Sequence, residues 1–491
     1  MTPSPDSAIH PIYADKFRCI GSDCEDTCCH GWSVPIDEPA WDKYRRLPES
    51  PLSVLINASI VRKPAAAESA PSTPSTAKPI FALIRMDGAN ECPMLSQDRL
   101  CRIQSELGED LLSHACATFP RYIHRAGDLK ETSLTLSCPE AARLVLLDPH
   151  LLTDGFSVPD RSPTPDRVSA PHHGDPGSWL ASASSDQPTE EPAPPLPENF
   201  WPIRTVVLNL LRNRIYPLWQ RLFLIGVLCR RLDAISSGEL NLEVPAFLND
   251  FEAALTSGAL RPAMETLPLD PGAQLDLVLR LAGMMLHHSN VTPRFVACVK
   301  AFTAGIGNGP GATFESLTAQ YIFAHDSFYA PFVQSHPHIT ENFLANTLLR
   351  CQFPFGREGM KTGVQPDMVH EFALLTAQFA LMRGLLIGVA GHHGAAFSES
   401  HVVHTVQAAS KHFEHHPEFL SMVHALLVER QMDGARGLAI LLRNVEGKAN
   451  EGGARPASPE RSAPAPEGGR SAWGTSALAQ DRPPQDTTHR E

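Results

Sequence analysis

The stretch Phe17–Asp37, FRCIGSDCEDTCCHGWSVPID, sets four thiols, Cys19, Cys24, Cys28 and Cys29, on a short polar turn. Four more follow at Cys92, Cys101, Cys116 and Cys138, so eight of the chain's eleven cysteines lie in its first 138 residues. Clustering of this kind marks a site, not a composition effect. It divides the chain into a cysteine-rich N-terminal part and a remainder. There Cys229, Cys298 and Cys351 fall in apolar helical segments and read as core residues.

Bulk composition bounds the function classes. A formal charge of -13 disfavours non-specific nucleic-acid binding. A 43% hydrophobic content over 491 residues supports at least one sizeable core and two folded units. The opening run MTPSPDSAIHPIYADKF lacks a basic segment followed by an apolar one, so a cytoplasmic protein is expected. The most apolar long stretch, Phe372 to Ala390, is interrupted by Gln378, Arg383 and two glycines and reads as a buried helix, with no membrane insertion. In a reducing compartment clustered thiols are more often metal ligands or redox groups than disulfides.

Working outward, residues 11–147 form the expected cysteine-rich domain, with an Ala/Ser/Pro-rich insertion loop at 57–78. Residues 148–199 are rich in Pro, Ser, Asp and Gly and are expected to be a disordered linker, as is the tail 445–491. Between them, 200–444 is a succession of apolar segments at helical spacing, from Pro202–Asn213 to Glu418–Glu429, with Pro and Gly mostly between them. The expected fold is mainly α: a metal-binding N-terminal domain with few short strands, then an all-helical domain. Two local readings concern the thiols. A straight helix from Cys101 to Cys116 would separate them by roughly 22 Å, so either it breaks near Gly108 or the two serve different ends of the domain. In ETSLTLSCPEAARLVLL a strand leads to a helix opened by Ser137 as cap and Pro139 in the first turn.

Thiolates are soft charged ligands, and four suffice for a zinc ion or an iron–sulfur cluster. Eight leave open two centres, or one centre with packing or redox cysteines beside it. The spacing C-x4-C-x3-CC is neither a zinc-ribbon nor a ferredoxin spacing, so zinc and iron–sulfur both stand. Histidines offer a rival metal site: His401 with His404, His412 with His415 or His416, and His392 with His393. Without nearby carboxylates at matching spacing they read as polar helix faces. The glycine-rich AGIGNGPG, Ala304 to Gly311, follows an apparent helix, not a strand, and reads as a loop, not a nucleotide-binding turn.

Taken together, FRCIGSDCEDTCCHGWSVPID, CPML, LCRIQSELGEDLLSHACATFPR and SCPEAARL resemble the flagellin lysine-N-methylase (FliB-type) family and, more distantly, small cysteine-rich zinc- or iron-chelating proteins. The likeness continues weakly through ENFLANTLLRCQFPF, Glu341 to Phe355. The resemblance implies methyl transfer from S-adenosylmethionine to surface lysines of flagellin by a protein carrying an iron–sulfur cluster, expected to be [4Fe–4S]. It also implies that Cys19, Cys24, Cys28, Cys29, Cys92, Cys101, Cys116 and Cys138 correspond to the family's cysteines. Direct transfer needs a neutral lysine amine, hence a base or a desolvated pocket. Candidate residues near the motifs are Glu25, Asp37, Glu131 and Glu140, with Arg121 to hold an anion and Tyr13 and Trp32 as aromatic walls for a sulfonium. A non-catalytic iron–sulfur or zinc-binding redox or interaction protein is the alternative.

Overall fold

The computed structural model describes residues 10–63, 81–157 and 196–444, apart from 33, 127–128, 259, 288–290, 357–358, 361–362, 364–366 and 416–417. Most of the expected insertion loop, most of the linker and the whole tail from 445 lie outside the described residues. The flanks of the first two are folded. Residues 57–62 complete the helix Pro51–Ser59 and form a strand, and the chain stays folded to Ser157. These flanks were expected to be loop and linker. The reason they are not is pairing with distant segments that local composition does not reveal.

Among the described residues the fold is mainly helical, and its seven strands are short: β1 His10–Pro11, β2 Pro35–Ile36, β3 Ile60–Arg62, β4 Ala82–Ile84, β5 Arg121–Ala126, β6 Leu129–Leu134 and β7 Phe156–Ser157. They form three small antiparallel sheets: β1 with β7, β2–β4–β3, and the hairpin β5–β6. The helices Pro271–Leu286, Pro293–Gly305 and Phe314–Ala324 open with Asp270, Thr292 and Thr313, whose side chains accept a first-turn N–H.

Two cores result. The larger is continuous from Tyr13, Phe17 and Leu134–Leu152 into the bundle from Phe200 to Leu442. The smaller gathers Val34, Ile36, Tyr44, Ile56, Ile84 and Met94, with Cys29, Cys101 and Cys116 packed against its edge. At the centre of the larger lies the helix Met368–His393. It has the length and composition of a membrane span, but its apolar stretch is wholly buried within the protein. The helix Pro293–Gly305 crosses it so closely that a Cβ on Gly305 would stand 1.7 Å from the carbonyl oxygen of Gly388. The helix Pro337–Arg350 joins the two ends of the chain. Its buried Asn346 accepts from the Tyr13 hydroxyl at 2.7 Å and pairs with the backbone of Leu134, while Asn342 donates to the carbonyl oxygens of Val145 and Asp148.

Candidate functional site

The eight N-terminal cysteines fall into one neighbourhood. Cys29 lies thiol to thiol with both Cys28 and Cys92. The register explains the second contact: His30 bridges Glu91, and the Cys92 N–H donates to the Cys29 carbonyl at 2.7 Å. Leu95 in turn bridges Cys101. Beyond Cys101 a π turn ends at Gly108, whose φ of 94° suits glycine, and the chain folds back to the short helix His114–Thr118. Of the two readings of this stretch, the break near Gly108 is the one observed, and it brings Cys116 within electrostatic reach of Cys101 and Cys28. On the other side Cys138 feels Cys24 and Cys28, and Cys24 feels Cys19. Cys28 stands where the two groups meet.

Burial pushes the Cys116 and Cys138 thiols up to about 12 and raises Cys24 and Cys101 as well. These sulfurs are protonated at neutral pH unless a cation draws them into the thiolate form. Among the described residues no three His, Cys, Asp or Glu side chains stand close enough to hold one ion.

A buried latch fixes this loop to the bundle. Asp26, beside Glu25, accepts from Lys411 Nζ at 2.8 Å and from Gln407 Nε2 at 2.7 Å, and Lys411 also donates to the Thr27 carbonyl. Burial disfavours the Asp26 carboxylate, but Lys411 and Gln407 outweigh it and its pKa is lowered. Next to the latch, Gly31 has φ 84°, and a Cβ there would lie 2.8 Å from the Thr292 side chain. No other residue fits this approach without a shift.

The remaining sequence candidates are placed as follows. Glu25 binds Arg143 through both oxygens, at 2.6 and 3.0 Å, and Glu140 holds the Arg143 Nε at 2.9 Å. The hydrogen bond from Arg143 holds the Glu25 carboxyl below its usual range. Asp37 caps the helix Glu38–Arg45 through Ala40 N–H and also accepts from His114 N–H. Glu131 is wholly buried between Arg204 and His124, at 2.7 and 2.9 Å. Arg121 lies over the Phe17 ring and donates to the Phe17 carbonyl. Tyr13 is fully buried on Asn346. Trp32 donates to the Cys28 carbonyl and stacks between Phe119 and His415. Ser137 is not the helix cap. Cys138 holds that position, while the Ser137 hydroxyl turns to Thr135 and His415 at 2.8 and 2.9 Å.

Near the latch lies a cavity of about 710 Å³, with Glu25, Arg143 and Arg294 in its lining. His392, His393, His401 and His404 line it together. The helix Met368–His393, the turn Gly394–Ala396 and the helix Glu399–Phe413 fold these imidazoles onto one another. The His393 and His401 rings stack at 3.7 Å and those of His392 and His393 stand 4.9 Å apart. The turn brings His393, His401 and His404 together along the cavity, with His392 exposed beside them, and among the described residues they form no group that could hold a metal. Burial first, and then neighbouring imidazoles or Arg294, lower the pKa of all three, so they are neutral at pH 7. Ser398 N–H donates to His401 Nδ1 at 3.2 Å, which puts the proton of that neutral ring on Nε2. Asp26, Lys411 and Arg294 carry no local sequence signal and were missed.

The comparisons agree with this division of the chain. The family model for the FliB lysine N-methylase C-terminal domain matches residues 204–441. The flagellar biosynthetic protein FliU of Salmonella muenchen is 32% identical over 150 residues, 30% of this chain and 82% of that protein. The lysine-N-methylases of Salmonella typhimurium (strain LT2) and Salmonella choleraesuis (strain SC-B67) are each 33% identical over 147 residues, 30% of this chain and 34% of theirs. The match thus spans about a third of the length of these two methylases. No solved structure gives a significant match. With a C-terminal family domain over the helical bundle and a relative covered over most of its length, the chain belongs to the FliB lysine N-methylase family.

Proposed function

We propose that the protein is a lysine N-methyltransferase that moves the methyl group of S-adenosylmethionine to lysine ε-amines of flagellin, with an iron–sulfur cluster on its N-terminal cysteines. Family membership supports the reaction, and one observation carries the site: a single loop, residues 24–29, carries three of the thiols and contributes Glu25 to the lining of the cavity. In the transfer the lysine nitrogen forms its bond to the methyl carbon as the carbon–sulfur bond breaks, leaving the neutral thioether S-adenosylhomocysteine. The amine must first be deprotonated. The neutral imidazole of His404 suits that task better than Glu25 and Glu140, which are both engaged with Arg143.

The donor set suits a thiophilic group held by four of Cys28, Cys29, Cys92, Cys101 and Cys116. When bound, such a cluster supplies a redox-active centre and offsets the thiolate charges. The chain's part is to gather the thiols, whose protons would leave as the group binds, and to hold their loop through Asp26 and Lys411. The location is expected to be cytoplasmic, where the flagellin chain is met before export.

The test uses full-length protein purified without oxygen, isotope-labelled donor and purified flagellin. Labelled methyl-lysine appearing with stoichiometric S-adenosylhomocysteine is expected, from protein holding about four iron and four sulfide per chain. Absence of methyl-lysine from iron-loaded protein overturns the reaction. Stoichiometric zinc without iron overturns the cluster.

A further inference from the structure

We infer that the histidine-lined cavity is the seat of the methyl donor, with Arg294 holding its carboxylate and the paired rings of His393 and His401 facing its purine. The inference rests on the methyl-transfer reading and adds the place and the residues.

Size comes first. A volume of about 710 Å³ lies within the roughly 300–1,000 Å³ usual for small-molecule sites. It suits a nucleoside joined to an amino acid, not a folded protein segment. Composition comes second. Ala301, Val389 and Val403 give part of the lining an apolar character, and the stacked imidazoles provide a planar polarizable wall. Such surfaces accept a purine face.

Charge decides which end of the donor goes where. Arg143 is matched by two carboxylates, Glu25 and Glu140. Arg294 donates through Nε to the neutral amide of Gln407 at 3.0 Å and forms no ion pair among the described residues. The Arg294 charge is felt by Glu25 and Asp26, but neither carboxylate hydrogen-bonds it, so its guanidinium is the one in the cavity open to a direct bond from an anionic ligand group. Gln407 is the same residue that donates to Asp26. Arg294 is thus tied through one side chain to the loop that carries Cys24 and Cys28, so the donor site and the thiol loop share a support.

Binding is measured by calorimetry on iron-loaded full-length protein, with S-adenosylmethionine and with 5′-methylthioadenosine, which keeps the nucleoside but lacks the carboxylate. The variants are Arg294→Met, Ala301→Phe, and Arg46→Met as an exposed control, each checked for an unchanged melting transition. Arg294→Met is expected to weaken S-adenosylmethionine at least 10-fold and to leave methylthioadenosine within 2-fold. Ala301→Phe is expected to weaken both, and Arg46→Met neither. Wild-type binding of S-adenosylmethionine that survives both cavity variants overturns the location and leaves the methyl-transfer reading standing. Equal loss of both ligands in Arg294→Met overturns the carboxylate assignment. Failure of the wild-type holoenzyme to bind S-adenosylmethionine overturns the underlying reading, and this inference with it.

Discussion

The two cores of this protein are held by different means. The larger closes on itself: aliphatic and aromatic side chains from both ends of the chain interlock around a helix buried along its apolar length. The smaller has, among the described residues, twelve buried hydrophobic residues, one of them Cys92, and thiols along its edge. A core of that size is marginal without a staple. One staple is present, the buried Asp26–Lys411 pair, and the group proposed for the thiols would be a second. The difference teaches that the small lobe depends on what lies outside its own core. If the proposed cluster sits on the cysteines, its removal should loosen the small lobe first and leave the bundle folded.

Four perturbations sharpen this contrast. The largest effect is expected from Gly305→Leu, which drives a side chain into the backbone of Gly388. A loss of about 4 kcal/mol or more should leave little folded protein, seen as absence of a cooperative melting transition. Next, Lys411→Met strands Asp26 in the junction and should cost about 3–5 kcal/mol by urea unfolding. It should also increase amide exchange in residues 24–31 more than in the helix Met368–His393. Equal loosening of both regions would count against a lobe-specific latch.

A smaller effect is expected from acid. Burial, then Lys411 and Arg350, lower His415 from 6.5 to about 4, so the unfolded chain takes up a proton that the folded one refuses. The contribution is complete above pH 6.5 and fades as pH falls toward 4, by at most about 3 kcal/mol. His415→Gln should flatten that limb of the stability profile. Asp26 has a depressed value, and its own contribution is lost only below the ordinary aspartate range. The smallest change is Asp37→Ala, which removes a cap on Ala40 and a bridge to His114. It should cost about 0.5–2 kcal/mol, read as faster exchange at those two amides.

Much of this architecture was legible in the chain. Segments at helical spacing such as Leu275–His288 and Glu399–Phe413 appear as helices within a few residues of their predicted bounds, because apolar periodicity records the face that is buried. The break at Gly108 was one of two readings drawn from the distance between Cys101 and Cys116. Long-range pairing was not legible. Residues 151–157 have a linker-like sequence, yet they fold because β7 meets β1 across the whole N-terminal part. The four cavity histidines were visible as pairs. Their convergence depends on the turn at Gly394, where φ is 56° and the helix Met368–His393 ends. Arg294 and Gln407 gave no signal, since a single polar residue on an apolar helix acquires meaning only from what packs opposite it.

The contact between Tyr13 and Asn346 has a consequence for synthesis. Its partners are 333 residues apart, so at about 5–20 residues per second the first must wait roughly 17–67 s for the second to be made. The residues of the small core, Val34 to Ile103, are complete long before then. During that interval the small lobe has its hydrophobic centre but not the helix Glu399–Phe413, so Asp26 waits for Gln407 and Lys411 and the loop that carries Cys28 is not yet fixed to the bundle.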